Sequence, residues 1–264
     1  MTVRSRPPKF DSSFPRARPP RISWLDWLDI TVLLAWGLLL LKYWVSGQIY
    51  ALLHPNYIWL AVATGLALVA LGLWRMLQRL SSKQRSQPMQ HISLIPRRWS
   101  SLLLLSIAVL GLVFSPRPFA SDIALQRGVT DTLTMTRSQP QSFSASSDPR
   151  EKSLLDWVRT LNVYPEPDAY VDQPVEIDGF VVYPSEIPDG YLMISRFVIT
   201  CCAADVYPVG LPVRLSRAIE PPPADQWIRL SGTMTSETLN GQRQLVIQAT
   251  DMAEIPEPKN PYES

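Results

Sequence analysis

The 264-residue chain carries a formal charge of +2 at neutral pH, 25 prolines, and two cysteines that are adjacent in sequence. So small a charge does not by itself argue for a partner held through its phosphates, which needs a concentrated basic face, so no nucleic acid is expected; adjacent cysteines exclude the disulfide frameworks that staple small secreted domains. A near-zero mean hydropathy conceals two unlike halves: Leu, Ala, Val, Ile and Trp dominate residues 24–114, and the remainder is ordinarily polar.

Residues 1–23 set Arg4, Arg6, Lys9, Arg16, Arg18 and Arg21 among prolines and read as a disordered basic tail lying on a membrane surface. A membrane region follows over 24–116, with two to three transmembrane helices. Leu28 to Val45 is long enough for a first span, with Trp24, Trp27, Tyr43 and Trp44 as interfacial aromatics, and Tyr57 to Leu77 gives a second. Gly47, Pro55 and Asn56 break the pattern between them, so the two form a hairpin. The apolar run from Trp99 to Phe114 is shorter; it reads as a third span, as a buried amphipathic helix, or as an internal signal-like segment.

Lys and Arg flank the first span on its amino side and fill the loop 75–98, whereas the loop between the first two spans has none. Because short basic loops stay in the cytoplasm, the amino terminus is expected inside a cell (inner or plasma) membrane and everything after Phe114 outside it. A third segment that did not cross would return the soluble domain to the cytoplasm.

Residues 117–150, rich in Ser, Thr, Pro and Gln, read as a linker. The domain over 151–255 opens on a short amphipathic helix, "EKSLLDWVRTLN", with Ser153 and Asp156 as capping candidates. The period then changes to two, predicting five strands over 173–184, 191–203, 206–216, 226–237 and 243–255. Gly179 and Gly232 fall inside strands, where a tightly coiled sheet needs bends. The fold class is therefore a membrane α-helical amino-terminal region joined to an all-β domain, an OB-like five-stranded barrel or a small β-sandwich. Residues 256–264 read as a disordered tail.

The candidate site lies in "SRFVITCCAADVYPVG". A regular strand would point Cys201 and Cys202 to opposite faces, so joint chemistry requires the chain to bulge or end there. Cys201, Cys202 and Asp205 are candidate ligands for Zn or another thiophilic ion, the cysteines are also a candidate strained disulfide, and the alternative is that they simply pack. Asp205 is equally readable as a turn residue bonding nearby amides. Arg196 and Thr200 are candidate contacts to a partner or ligand, although an outward, solvated Arg is the commoner case. His54 and His91 both fall in the membrane half, which leaves the soluble domain without a His ligand. There is no phosphate-binding Gly loop, nucleophile elbow or recognisable catalytic carboxylate pair, so the chain reads as non-enzymatic.

Taken together, "FSPRPFASDIALQRG", "LLDWVRTLN", "VDQPVEIDGFVVYP" and above all "RFVITCCAADVYPVGLPV" resemble the YcgQ-like family of bacterial membrane proteins, described as subunits of two-component permeases. The resemblance implies a membrane-anchored subunit with an OB-like domain beside a separate multi-span permease, and metal or metal-complex transport or homeostasis as the class of function. It assigns no catalytic residue. The expected function is a non-catalytic accessory subunit, in the bilayer, with a permease partner and with homo-oligomerisation open. A membrane-tethered OB-fold module for glycan or oligonucleotide, with Tyr183, Tyr191 and Tyr207 as stacking candidates, and a dithiol redox or sensor protein are the alternatives.

Overall fold

The computed structural model describes residues 24–81, 96–117, 119–129, 148–217 and 219–263. The basic tail 1–23 and His91 lie outside the described residues. Three helices come first: α1 (Trp24–Val45), α2 (Pro55–Leu80) and α3 (Arg97–Val113). The first two, of 22 and 26 residues, are long and apolar enough to cross a membrane, spanning roughly 33 and 39 Å at the helical rise. At 17 residues, α3 is shorter, roughly 25 Å.

α1 is the central helix, packed on one side by α2 and on another by α3. Its contact with α2 depends on glycines: a Cβ on Gly37 would stand 2.9 Å from the Gly65 carbonyl, and one on Gly65 would stand 3.3 Å from the Gly37 carbonyl. Such close backbone approach is the usual way in which helices associate where lipid supplies no hydrophobic drive. α3 runs parallel to α1. At one end Arg97 bonds the Asp26 and Asp29 carboxylates, with Arg79 of α2 joining Asp26 at 3.1 Å. At the other end Lys42 Nζ donates to the Leu112 carbonyl at 2.7 Å and the Tyr43 hydroxyl donates to the Gly111 carbonyl at 2.7 Å. The last carbonyls of a helix have no partner of their own, and α1 satisfies two of them for α3.

The chain then forms α4 (Ser121–Gln126) and, after 3₁₀ turns, α5 (Leu154–Val163). Ser153 and Asp156 make a reciprocal capping box at the start of α5, as their spacing predicts. Of the expected linker, residues 119–129 and 148–150 are therefore structured, and 118 and 130–147 lie outside the described residues.

Six strands follow: β1 (Pro174–Val182), β2 (Tyr191–Val198), β3 (Tyr207–Arg214), β4 (Trp227–Leu239), β5 (Gln242–Glu254) and β6 (Tyr262–Glu263). The first five close into a ring, β1 to β2 to β3 to β5 to β4 and back to β1. Every pairing in the ring is antiparallel except β3 with β5. Two differences from the sequence expectation stand out. β2 stops at Val198 rather than continuing through the cysteines, and the supposed tail supplies β6, parallel to β2 through Phe197 with Tyr262.

Alternation along the strands separates two apolar clusters. Val175, Ile177 and Val181 of β1 and Leu192, Ile194 and Val198 of β2 point into the ring with Leu154, Leu155, Trp157, Val158 and Leu161 of α5. Phe180, Val182, Met193 and Phe197 point the other way and are covered by Ala124 of α4, Val129, Phe119 and Tyr262. Phe180 stacks on Phe197 with centroids 5.3 Å apart. The ring's tight coiling concentrates at Gly232, where the β4–β5 register shifts and an added Cβ would stand 2.3 Å from the Gln248 carbonyl oxygen. A Gly232→Ala substitution is therefore expected to destabilise the β domain by about 1–3 kcal/mol in urea unfolding, as overpacking against a backbone atom does. An unchanged midpoint would show that the bulge does not require glycine.

Candidate functional site

Beyond Val198 the chain turns through Thr200, Cys201, Cys202, Ala203 and Ala204 and resumes as β3. Asp205 makes the turn. Its carboxylate accepts from the Cys201 amide at 2.8 Å, the Cys202 amide at 3.3 Å, the Thr200 amide at 3.4 Å and the Thr200 hydroxyl. A short acidic side chain that bonds amides a few residues away offers the backbone an alternative to the sheet ladder, which is why the strand ends here. Partial burial works against the charge of Asp205, but the bonds from Thr200, Cys201 and Cys202 outweigh it and hold the carboxyl at about 2.

With the strand broken, both sulfurs fall on one side. Cys201 Sγ lies 3.6 Å from Cys202 Sγ, both thiols are free, and Cys201 is exposed. The neighbouring Asp205 carboxylate, followed by the Cys202 sulfur, pushes the Cys201 thiol up to about 11, because an anion accepting the S–H bond favours the protonated form. Two thiolates about 2.3 Å from one tetrahedral zinc stand about 3.8 Å apart, so the pair has the spacing of one edge of such a site. Asp205 does not complete it, since its oxygens are taken by Thr200 and the turn amides. Among the described residues, no group of three or more His, Cys, Asp or Glu side chains is arranged to hold a metal. Cys201 and Cys202 would supply two thiolates, and further ligands would come from elsewhere.

The turn also has a neighbour that sequence reasoning missed. The loop between α1 and α2 pairs with it as a short antiparallel bridge, Leu53 opposite Cys202. The His54 amide donates to the Cys201 carbonyl at 3.1 Å and the Ala203 amide donates to the Leu52 carbonyl at 2.9 Å. The Tyr262 hydroxyl adds a bond to the Ala51 carbonyl at 3.0 Å. His54 thus stands beside the cysteines although it belongs to the helical half. Its Nδ1, as assigned from the hydrogen-bond pattern, accepts from the Asn56 amide at 3.1 Å and caps α2. A neutral imidazole accepting at Nδ1 carries its proton on Nε2, which leaves no lone pair for a metal in that tautomer.

Arg196 is turned to internal use. It forms an ion pair with Glu263 at 3.4 Å, donates to the Asn260 carbonyl at 3.4 Å and lies 5.5 Å from the centroid of the Trp227 ring. Glu263 in turn accepts from the Leu155 amide at 2.8 Å, and its burial pushes its pKa up. Thr200 serves the Asp205 turn. Of the five sequence candidates, Thr200, Cys201, Cys202 and Asp205 come together in one turn, and Arg196 locks the 260–263 segment onto β2.

Two outcomes are expected. Since the Asp205 carboxyl is held below its ordinary value of 3.8, its stabilising contribution is fully present above about pH 4 and lost as pH falls towards about 2. The gap in unfolding free energy between wild type and Asp205→Ala should be roughly 1–3 kcal/mol at pH 7 and close over that window. In a Cys202→Ser background, Asp205→Asn should raise the rate of Cys201 alkylation by iodoacetamide at pH 8 by at least about tenfold, as removing the anion restores thiolate. A rate that does not change would dissociate Asp205 from the thiol.

Comparison with known proteins agrees with the division into two parts. Residues 28–130 match the model of the DUF1980 N-terminal domain and residues 149–263 that of the DUF1980 C-terminal domain. A search of curated proteins finds no match. Both DUF1980 domains, the N-terminal in the helical part and the C-terminal in the β part, are thus found in order in this one chain.

Proposed function

We propose that this protein is a non-catalytic, membrane-anchored accessory subunit of a multi-span permease, with an OB-like barrel held outside the membrane. The observation that carries this reading is the helical part itself. α1 is sheathed by α2 and α3, whose other faces expose Trp59, Leu66 and Leu73, and Leu103, Ile107 and Leu110. Three helices are too few to enclose a transport pathway, and apolar faces of this extent call for lipid or partner helices. The resemblance to two-component permease subunits supplies the class of partner.

Orientation is supported from both ends of the bundle. Arg79 and Arg97, which fall within the basic segment 75–98 of the sequence, gather at one end, the end that positive residues favour on the cytoplasmic side. α3 lies parallel to α1 along its length and ends beside the α1–α2 loop, so a crossing by α3 delivers the β domain to the opposite, extracytoplasmic side. The ring order with one parallel pairing supports the OB-like reading. OB folds bind glycan or oligonucleotide mainly across strands 2 and 3. Here Met193 and Phe197 of β2 are covered by α4, Phe119 and Tyr262, and the Tyr183 hydroxyl donates to the Pro222 carbonyl at 2.6 Å, which weighs against the binding-module alternative. For metal homeostasis the support is the thiol pair at metal-edge spacing.

A reporter active only outside the cytoplasm, fused after Ser264, should be active, and the same reporter inserted between Lys83 and Arg85 should be silent; the reverse pattern overturns the orientation. Affinity purification from gently solubilised membranes should retain a multi-span permease, whereas recovery of the chain alone or only as copies of itself would remove the accessory role. Metal content equal in wild type and in Cys201→Ser/Cys202→Ser would remove the metal part while leaving the rest.

A further inference from the structure

The peptide unit between Cys201 and Cys202 is shared by two hydrogen-bonded partners. Its carbonyl accepts from His54 at 3.1 Å, its amide donates to Asp205 at 3.3 Å, and the free thiols on either side of it lie 3.6 Å apart. Closing a bond between those sulfurs would make an eight-membered ring that contains this same peptide. We propose that Cys201 and Cys202 form a thiol–disulfide exchange site, reacting with external disulfides of the glutathione class, whose oxidation state sets how the α1–α2 loop is bonded to the β domain.

The exchange proceeds in two displacements. The thiolate of one cysteine attacks an external disulfide R–S–S–R, forming a mixed disulfide and releasing R–S⁻; the thiolate of the other attacks the protein-bound sulfur, closing the Cys201–Cys202 bond and releasing a second R–S⁻. The two protons lost by the cysteines end on the two released thiolates. The cysteine pair is oxidised by two electrons and the external disulfide is reduced to two thiols. Either cysteine can open the sequence, because both thiols are free and the second sulfur stands 3.6 Å from the first, within reach of the mixed disulfide.

Bringing the sulfurs from 3.6 Å to about 2.05 Å requires the intervening backbone to twist. The carbonyl bonded to His54 and the amide bonded to Asp205 belong to that backbone unit, and the next amide, Ala203, bonds Leu52. Oxidation therefore acts on the joint between helices and ring, whereas a disulfide elsewhere on the domain would not reach it. Ring strain makes the bond easily reduced, as a reversible switch needs. The inference does not rest on a permease partner, and the chain alone suffices to test it.

The full chain in detergent micelles would be equilibrated across glutathione buffers from reducing to oxidising, then followed by intact mass and by hydrogen exchange resolved at the His54 and Ala203 amides. The expected result is a monomer lighter by two hydrogen atoms in oxidising buffer, with those amides exchanging at least tenfold faster than in reducing buffer. Cys201→Ser should stop at a glutathione mixed disulfide on Cys202. Cys201→Ser/Cys202→Ser should exchange identically in every buffer, with unchanged protection of β4 and β5 confirming its fold. Two cysteines that stay alkylatable throughout, or a disulfide that leaves His54 and Ala203 exchange unaltered, would overturn the proposal.

Discussion

Two backbone hydrogen bonds, His54 to Cys201 and Ala203 to Leu52, join the helical part of the chain to the turn at the end of β2, and they depend on the Asp205 carboxylate. Were Asp205 not gathering the amides of Thr200, Cys201 and Cys202, β2 would continue on its ladder with β3. The segment offered to the α1–α2 loop would then be an ordinary strand. Each such bond has a net worth of only about 0.5–1.5 kcal/mol, so the joint is weak enough for local chemistry to govern. The Tyr262 hydroxyl on Ala51 reinforces it from the other side, and the Arg196–Glu263 pair keeps Tyr262 in place.

What the sequence makes legible is local. Apolar length marks α1 and α2, Ser153 with Asp156 marks the start of α5, and period-two alternation marks five strands within a few residues of their observed ends. Glycines inside β-rich runs mark close approach or a bulge without saying which: Gly232 sits at the bulge, whereas Gly179 keeps regular pairing and makes room for Ile194 and Ser195 of β2. What is not legible is contact between distant segments. Nothing in "LLH" or "CCA" marks Leu53 as the partner of Cys202, since backbone pairing carries no side-chain signature. The tail around Tyr262 reads as disordered for a related reason: its prolines and charges are those of a loose end, and the charge that pairs with buried Glu263 comes from Arg196, 67 positions away by number. The end of β2 is likewise not legible, because an Asp after two cysteines suits a ligand as well as a turn, and here its carboxylate accepts from the Thr200, Cys201 and Cys202 amides.

The helical part follows a different logic. Buried apolar matching cannot align helices that all have apolar surfaces, so alignment comes from points where polarity is unavoidable. Asp26 and Asp29 with Arg79 and Arg97 fix one end, and Lys42 and Tyr43 on the carbonyls of α3 fix the other. Between them the Trp36 indole donates to the Leu104 carbonyl at 3.1 Å. These contacts set the register of a helix too short to be recognised by length alone.

The β domain is attached to the helices twice, once by the covalent chain leaving α3 and once through the α1–α2 loop. A domain hung from one flexible tether can swivel freely and reports nothing about the helices beneath it. With two attachment points only rotation about the line between them is left, and the Tyr262 hydroxyl on the Ala51 carbonyl resists that as well. Tilting α1 against α3 would therefore apply a torque to the ring, and releasing the loop from the Cys201–Ala203 segment would turn a stiff mast back into a pendant.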